Sequence, residues 1–183
     1  MRVLTAGLAL VITTAASASS PPGVAQSYTE SEVKAEFIER ITRFVTWPES
    51  AFESEISPFA VCVYGTGPVA PHLQRIVARG RIKDRPARFL PVGPHDLLTG
   101  CHVLYVATTD RAEVRAVAAR ALGKPILSVA DQPGSAEVGI IVNLVLDAEG
   151  HVRLEINGET ARVSGLKISA KLMRLAQLVG EQR

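Results

Sequence analysis

Three short apolar runs, at residues 59–64, 102–107 and 125–130, alternate with two stretches of helical periodicity, at residues 69–77 and 110–122. No other feature of the chain restricts its fold as strongly. Runs that are apolar throughout, without a polar residue at every second position, suit strands buried on both faces. A helix between consecutive strands carries the chain back across the sheet, so the strands run parallel. A run at residues 86–92, with Phe89 and Leu90 as its apolar part, reads as a further strand, and residues 96–100 as a turn.

Both flanks of this unit are differently patterned. Upstream, Thr29 and Glu32 have capping-box spacing, and Val33, Phe37, Ile41, Phe44 and Val45 recur at three- and four-residue steps. This predicts an amphipathic helix with one buried stripe, ended by Pro48. Downstream, residues 140–146 and 151–156 flank Asp147-Ala148-Glu149-Gly150 as a hairpin, with Arg153, Glu155 and Asn157 along one face of its second strand. A short helix at 159–163 stops at Gly165. Ser169 then caps a last helix with Leu172, Leu175, Ala176 and Val179 as its apolar stripe. The expected fold is a three-layer α/β domain at residues 29–180: a mixed sheet, parallel first and closed by an antiparallel hairpin, flanked by helices.

The N-terminus assigns a compartment. Arg2, an apolar stretch at residues 3–16 and the small residues Ala16-Ser17-Ala18 read as a secretory signal peptide, residues 1–18, followed by a loose leader at 19–28. The apolar stretch is shorter than the ~20 residues that span a bilayer. The expected location is the periplasm. The whole chain carries a net charge of +2, with both signs interspersed, so a nucleic-acid partner is not expected. Export bears on Cys62 and Cys101, the two cysteines. In an oxidising compartment two lone cysteines pair, and closing a loop of about 40 residues stabilises by roughly 3–4 kcal/mol. Two buried free thiols are the competing reading.

Candidate chemistry is sparse. HExxH, GxSxG and GxxxxGK[ST] are all missing, and His72, His95, His102 and His151 lack metal-ligand spacing. No cofactor is expected. Cys101 and His102 are adjacent and make a nucleophile–base pair if the thiol is free. Asp110 and Asp131 follow parallel strands, where open α/β sheets place ligands, but a helix cap for Asp110 and a plain turn for Asp131 are the simpler readings. Gly65-Thr66-Gly67-Pro68, between strand and helix, has the position of a phosphate loop. Pro68 lacks an N–H that a phosphate would use, so the segment is read as a turn. Trp47 is expected as a core anchor. The polar face of the second hairpin strand reads first as a solvated face; if it lines a groove instead, Glu155 and Arg162 are the residues that hold a zwitterion or a partner side chain.

The motifs in order resemble the YfiR family of periplasmic regulators. EVKAEFIERITRFVTWP at residues 32–48 is similar to that family's opening helix, VKAAFLYNFAKFVEWP. FAVCVYGTGP matches its strand and turn, and GCHVLYVA, KPILSVADQPG, GIIVNLVL, VRLEIN and SGLKISAKLMRLAQLV follow in the family's order. The resemblance implies a regulator and not an enzyme. It implies inhibition of an inner-membrane diguanylate cyclase through its periplasmic part, relief by an OmpA-like outer-membrane lipoprotein, a homodimer, and a small-molecule ligand for which Glu155 and Arg162 are the matching positions. It also implies a Cys62–Cys101 bridge. A second cysteine pair, near residues 136–143 in some relatives, is missing here. The membrane partner implied by the wider family can also be a histidine kinase.

Overall fold

The computed structural model describes residues 28–180; the signal peptide and all but the last residue of the leader lie outside the described residues. The chain runs α1 (Glu30–Thr42), β1 (Val45–Thr46), β2 (Phe59–Gly65), α2 (Ala70–Val77), β3 (Arg81–Ile82), β4 (Arg85–Val92), β5 (Val103–Ala107), α3 (Arg111–Ala121) and β6 (Leu127–Ala130). It continues through β7 (Val142–Leu146), β8 (Val152–Asn157), α4 (Gly158–Val163), β9 (Lys167–Ile168), α5 (Ala170–Met173) and β10 (Gln177–Val179). Eight strands form one sheet in the order β10-β8-β7-β6-β5-β2-β4-β3, and β1 pairs with β9 apart from it. From β4 to β7 every neighbour is parallel, and β8 returns antiparallel to β7. This is the expected mixed sheet.

Side-chain alternation along the strands divides the core into two layers. Phe59, Val61, Val63, Val103, Tyr105, Leu127 and Val129 face α1, α2 and the C-terminal helices, packing on Ile38, Ile41, Leu73 and Leu172. Cys62, Tyr64, Leu104, Val106 and Ala130 face α3, packing on Val114, Val117 and Ala121. Helices on both faces make three layers. Cys62 on β2 is bonded to Cys101 just before β5, with Cα atoms 5.8 Å apart. Trp47 is a core anchor: its indole meets Phe59 edge-on at 5.1 Å and its N–H donates to the His102 carbonyl at 3.2 Å.

Two helices are shorter than their patterns predict. The first ends at Thr42, not at Pro48. The Thr42 hydroxyl donates back to the Glu39 carbonyl, and Lys83 Nζ donates to the carbonyls of Thr42 and Val45. The bonds to Glu39 and Thr42 satisfy helix-end acceptors, and Val45–Thr46 pairs with Lys167–Ile168. The helix is also rotated from the expected stripe, burying Lys34, Ala35, Ile38, Ile41 and Thr42 and leaving Phe37 40% exposed. The last helix, capped by Ser169 as expected, is only four residues long. Gln177–Val179 runs instead as a strand parallel to β8, supplying ladder partners for an edge that would otherwise be bare. Leu175, expected in a buried stripe, is 74% exposed.

Candidate functional site, a cleft at the carboxyl ends of the parallel strands

All the central parallel strands end on the same side, and the segments leaving them surround a cleft of about 680 Å³. β2 delivers Gly65–Pro68. Gly65 has φ +79°, and a Cβ there would lie 2.7 Å from the Ala107 carbonyl oxygen. Only glycine permits that approach of β2 to the end of β5. β5 delivers Tyr105 and Thr108–Thr109, β6 delivers Asp131–Pro133, and β7 ends at Val145–Leu146.

The floor is ionic. Lys34, on the second turn of α1, has a side chain only 6% exposed, with its ammonium 3.0 Å from Asp131 and 2.6 Å from Glu30. Burial pulls the Lys34 pKa down, but its bonds to Glu30 and Asp131 outweigh burial and leave it raised, so the group stays charged. Tyr105 is buried beside Asp131. Burial first, and then the Asp131 carboxylate, push its phenol far above the usual range, so it stays protonated. On the wall formed by the start of α3, Thr108 Oγ1 donates to Glu113 at 2.7 Å.

Three helix N-termini reach this rim. That of α2, entered through Gly65–Pro68, has no side-chain cap, whereas α1 and α3 are each closed from within their own sequence. In α1 the Glu32 N–H donates to Thr29 Oγ1, and the Thr29 N–H donates to Glu32 Oε2. In α3 Asp110 accepts from the N–H groups of Ala112 and Glu113. Asp110 is therefore a cap. Asp131, expected at a strand end, belongs to the cleft.

The other candidates separate. Cys101 is in the bridge and neither cysteine is free, which removes the Cys101–His102 nucleophile. His102 is buried and neutral: Nδ1 accepts from the Ala60 N–H at 3.0 Å, Nε2 lies 3.0 Å from the Ala51 carbonyl, and the ring stacks on Phe52 and Phe59. Burial is the largest cause holding its pKa below the usual value, ahead of the opposing bond to Ala51. On the hairpin face Arg153 pairs with Asp147, Glu155 accepts from Asn143 Nδ2 at 2.8 Å, and Asn157 caps α4 through the Thr160 N–H. Arg162 is held by Glu159 at 2.6 Å on the surface of α4, so Glu155 and Arg162 answer to different partners. Ligand atoms of Asp147, Glu149 and His151 gather within 4.8 Å in the hairpin turn, but Arg153 Nε already donates to Asp147 there.

Lys34 and Tyr105 were not picked out from the sequence. The one available signal was a lysine between Val33 and Ala35, near the apolar stripe of a helix.

A second opening lies between α1 and the C-terminal segment, about 370 Å³ in volume, with Phe37, Ile41, Val152, Leu154, Leu172 and Leu175 among its lining residues. No helix of the described residues is long and apolar enough to cross a membrane.

In fold, the chain is similar to a crystal structure of an ABC domain in complex with L-Trp from Streptococcus pneumonia, at a TM-score of 0.51 and 11% identity. The match covers 81% of this chain and 60% of that one, and at this identity it shows the fold alone. The family profile described as YfiR/HmsC-like matches residues 31–177, from the first turn of α1 into β10. This chain belongs to the YfiR/HmsC-like family.

Proposed function

We propose that this chain is a periplasmic regulatory protein that inhibits an inner-membrane diguanylate cyclase by binding the cyclase's periplasmic part. Family membership across almost every described element carries the reading. Such a regulator acts by equilibria alone: it shifts the cyclase only as far as its affinities for the two cyclase states differ. Sequestration on an OmpA-like outer-membrane lipoprotein lowers the free regulator and relieves inhibition by mass action. No residue has to make or break a bond. The bridge in place of a free thiol at Cys101 is in keeping with a non-catalytic role.

The surface assigned to the membrane partner in this reading is the groove between α1 and the C-terminal segment. Phe37 and Leu175 are exposed apolar side chains at that groove, which suits an apolar anchor from a partner. Calorimetric titration of the purified protein with the periplasmic domain of a neighbouring GGDEF membrane protein tests this. Binding is expected, with Phe37→Asp and Leu175→Asp each weakening it by roughly tenfold or more. Deletion of the gene is expected to raise cyclic-di-GMP. A deletion strain with unchanged cyclic-di-GMP, together with no binding, refutes the reading. Light scattering of the same sample tests the homodimer that also belongs to it.

The cleft favours a second version, in which the chain is a ligand-binding sensor subunit and its membrane partner is a histidine kinase. In that version Glu155 and Arg162, which stand outside the cleft lining, are candidates for separate ligand contacts. The same titration with the kinase's sensor domain separates the two.

A further inference from the structure

We infer that the segment between β1 and β2, residues 49–58, is a strap latched to the sheet by the neutral His102 ring and released in mild acid. This goes beyond the regulator reading and does not depend on it, since release is measured on the protein alone.

The latch rests on a tautomer that the backbone fixes. The Ala60 N–H can only donate, so Nδ1 of His102, 3.0 Å away, carries a lone pair. The proton of the neutral ring is therefore on Nε2, which donates to the Ala51 carbonyl at 3.0 Å. The ring also stacks on Phe52 at 4.4 Å and on Phe59 at 5.0 Å. Ala51 and Phe52 belong to the strap, Ala60 to β2, and His102 to the approach to β5, so one imidazole joins strap and sheet.

A second proton reverses that contact. It would sit on Nδ1 and face the Ala60 N–H, donor against donor, at a residue only 4% exposed. Among the described residues no carboxylate offsets the new charge: Glu49, Glu53 and Glu55 on the strap are exposed, and none acts on the ring. Arg85 on β4, whose guanidinium lies 3.8 Å from the centre of the Phe52 ring, adds repulsion. Trp47, next to β1, and Leu127 of β6 bond the His102 backbone carbonyl and bring no charge. The protonated ring thus has an N–H without an acceptor, and water satisfies it only once the strap lifts.

Little else holds the strap. None of residues 49–58 is buried, and none pairs in the sheet. Its other side-chain bonds from the body come from Arg85, which donates to the carbonyls of Ser54, Glu55 and Ser57. The sheet behind is secured separately: β2 is paired on both sides, and the Cys62–Cys101 bridge ties it to the residue before His102. Lifting the strap therefore takes less free energy than unfolding the domain, as is general for surface segments with few buried contacts.

Hydrogen exchange read by mass spectrometry between pH 7.5 and pH 5, corrected for the intrinsic effect of pH, tests the inference. The N–H groups of Ala51, Phe52, Ser57 and Ala60 are bonded in the latched form. Peptides across 49–60 are expected to lose protection by roughly tenfold over that range, while peptides within β5 and β6 keep theirs. The His102 ring resonance, followed by NMR, should titrate with the same midpoint. In His102→Gln, which takes up no proton, exchange of the strap should not respond to pH. Unchanged strap protection in the wild type overturns the inference, as does an equal loss across β5 and β6 or a pH response retained in the variant. If the variant does not fold, the NMR titration decides: a ring that charges while the strap stays protected overturns the latch. None of these measurements involves the cyclase, so the two proposals fail separately.

Discussion

Opening the Cys62–Cys101 bridge should remove about 4 kcal/mol of stability. The two cysteines are 39 residues apart, and the chain-entropy relation for a loop of that size gives roughly 13 cal/mol/K, or about 4 kcal/mol at 25 °C. In the native protein both sulfurs lie inside the layer under α3, packed among Tyr64, Leu104, Val106 and Val117. Reduction leaves those atoms in place, so the loss comes chiefly from the freer unfolded chain. For a domain of this size about 4 kcal/mol corresponds to a drop in Tm of roughly 8–16 °C. Trp47, the only tryptophan, is buried against Phe59 and reports unfolding by fluorescence without a label. Urea titrations with and without a phosphine reductant, with mass spectrometry confirming that the bridge has opened, give the difference directly. The urea m-value should rise on reduction, because an uncrosslinked unfolded chain exposes more surface. A Cys62→Ala/Cys101→Ala variant should fall further than the reduced wild type by about 1–2 kcal/mol, since it also loses packed sulfur. A reduced protein within about 3 °C of the oxidised Tm, with m unchanged, refutes the entropic reasoning.

Three further outcomes follow from buried polar groups and one glycine. His102 has a folded pKa below its ordinary value of 6.5. Between those two values the unfolded chain binds more protons, so stability is full above pH 6.5 and falls as pH drops below it. Unfolding midpoints measured from pH 7.5 to 5 should show that slope, and His102→Gln, less stable by about 1–3 kcal/mol for the lost acceptor of the Ala60 N–H, should remove most of it; an equal slope in the variant sinks the assignment. Lys34→Met leaves Asp131 without its cation and should cost about 3–5 kcal/mol, with Lys34→Met/Asp131→Asn milder than the sum of the two single variants; additive losses in that cycle would show that the pair is not coupled. Gly65→Ala sets a Cβ against the Ala107 carbonyl at positive φ and should lower stability by more than about 2 kcal/mol, whereas Gly100→Ala, with the same sign of φ and open space, should lose only about 1–2 kcal/mol.

The elements that could be read locally were found locally. Capping residues Thr29, Asp110 and Ser169 lie at the starts of real helices because a cap involves groups two or three residues apart. The apolar runs became the central strands because burial on both faces leaves few alternatives for such segments. Misreadings occurred where a distant partner outweighed local periodicity. Residues 172–179 carry helical spacing, yet 177–179 form a strand because the edge of β8 offers hydrogen-bond partners that sequence spacing cannot reveal. The helix at 30–42 turned Lys34 inward and left Phe37 at the surface.

Of the cleft, the sequence pointed to Asp131 only as the less favoured alternative to a turn residue and read Gly65–Pro68 as a turn alone, and it disclosed neither Lys34 nor Tyr105. By itself the sequence determined the alternation of strands and helices, the caps, the glycines that let turns pass close to neighbouring strands, and the two cysteines available to pair. Those properties rest on backbone sterics, short-range hydrogen bonds and periodic burial, all within reach of a few residues. Tertiary structure alone decided that an ammonium could be buried at the floor of the cleft. A buried charge is tolerable only beside its counter-charge, and the carboxylate that supplies it here stands 97 residues away in the chain.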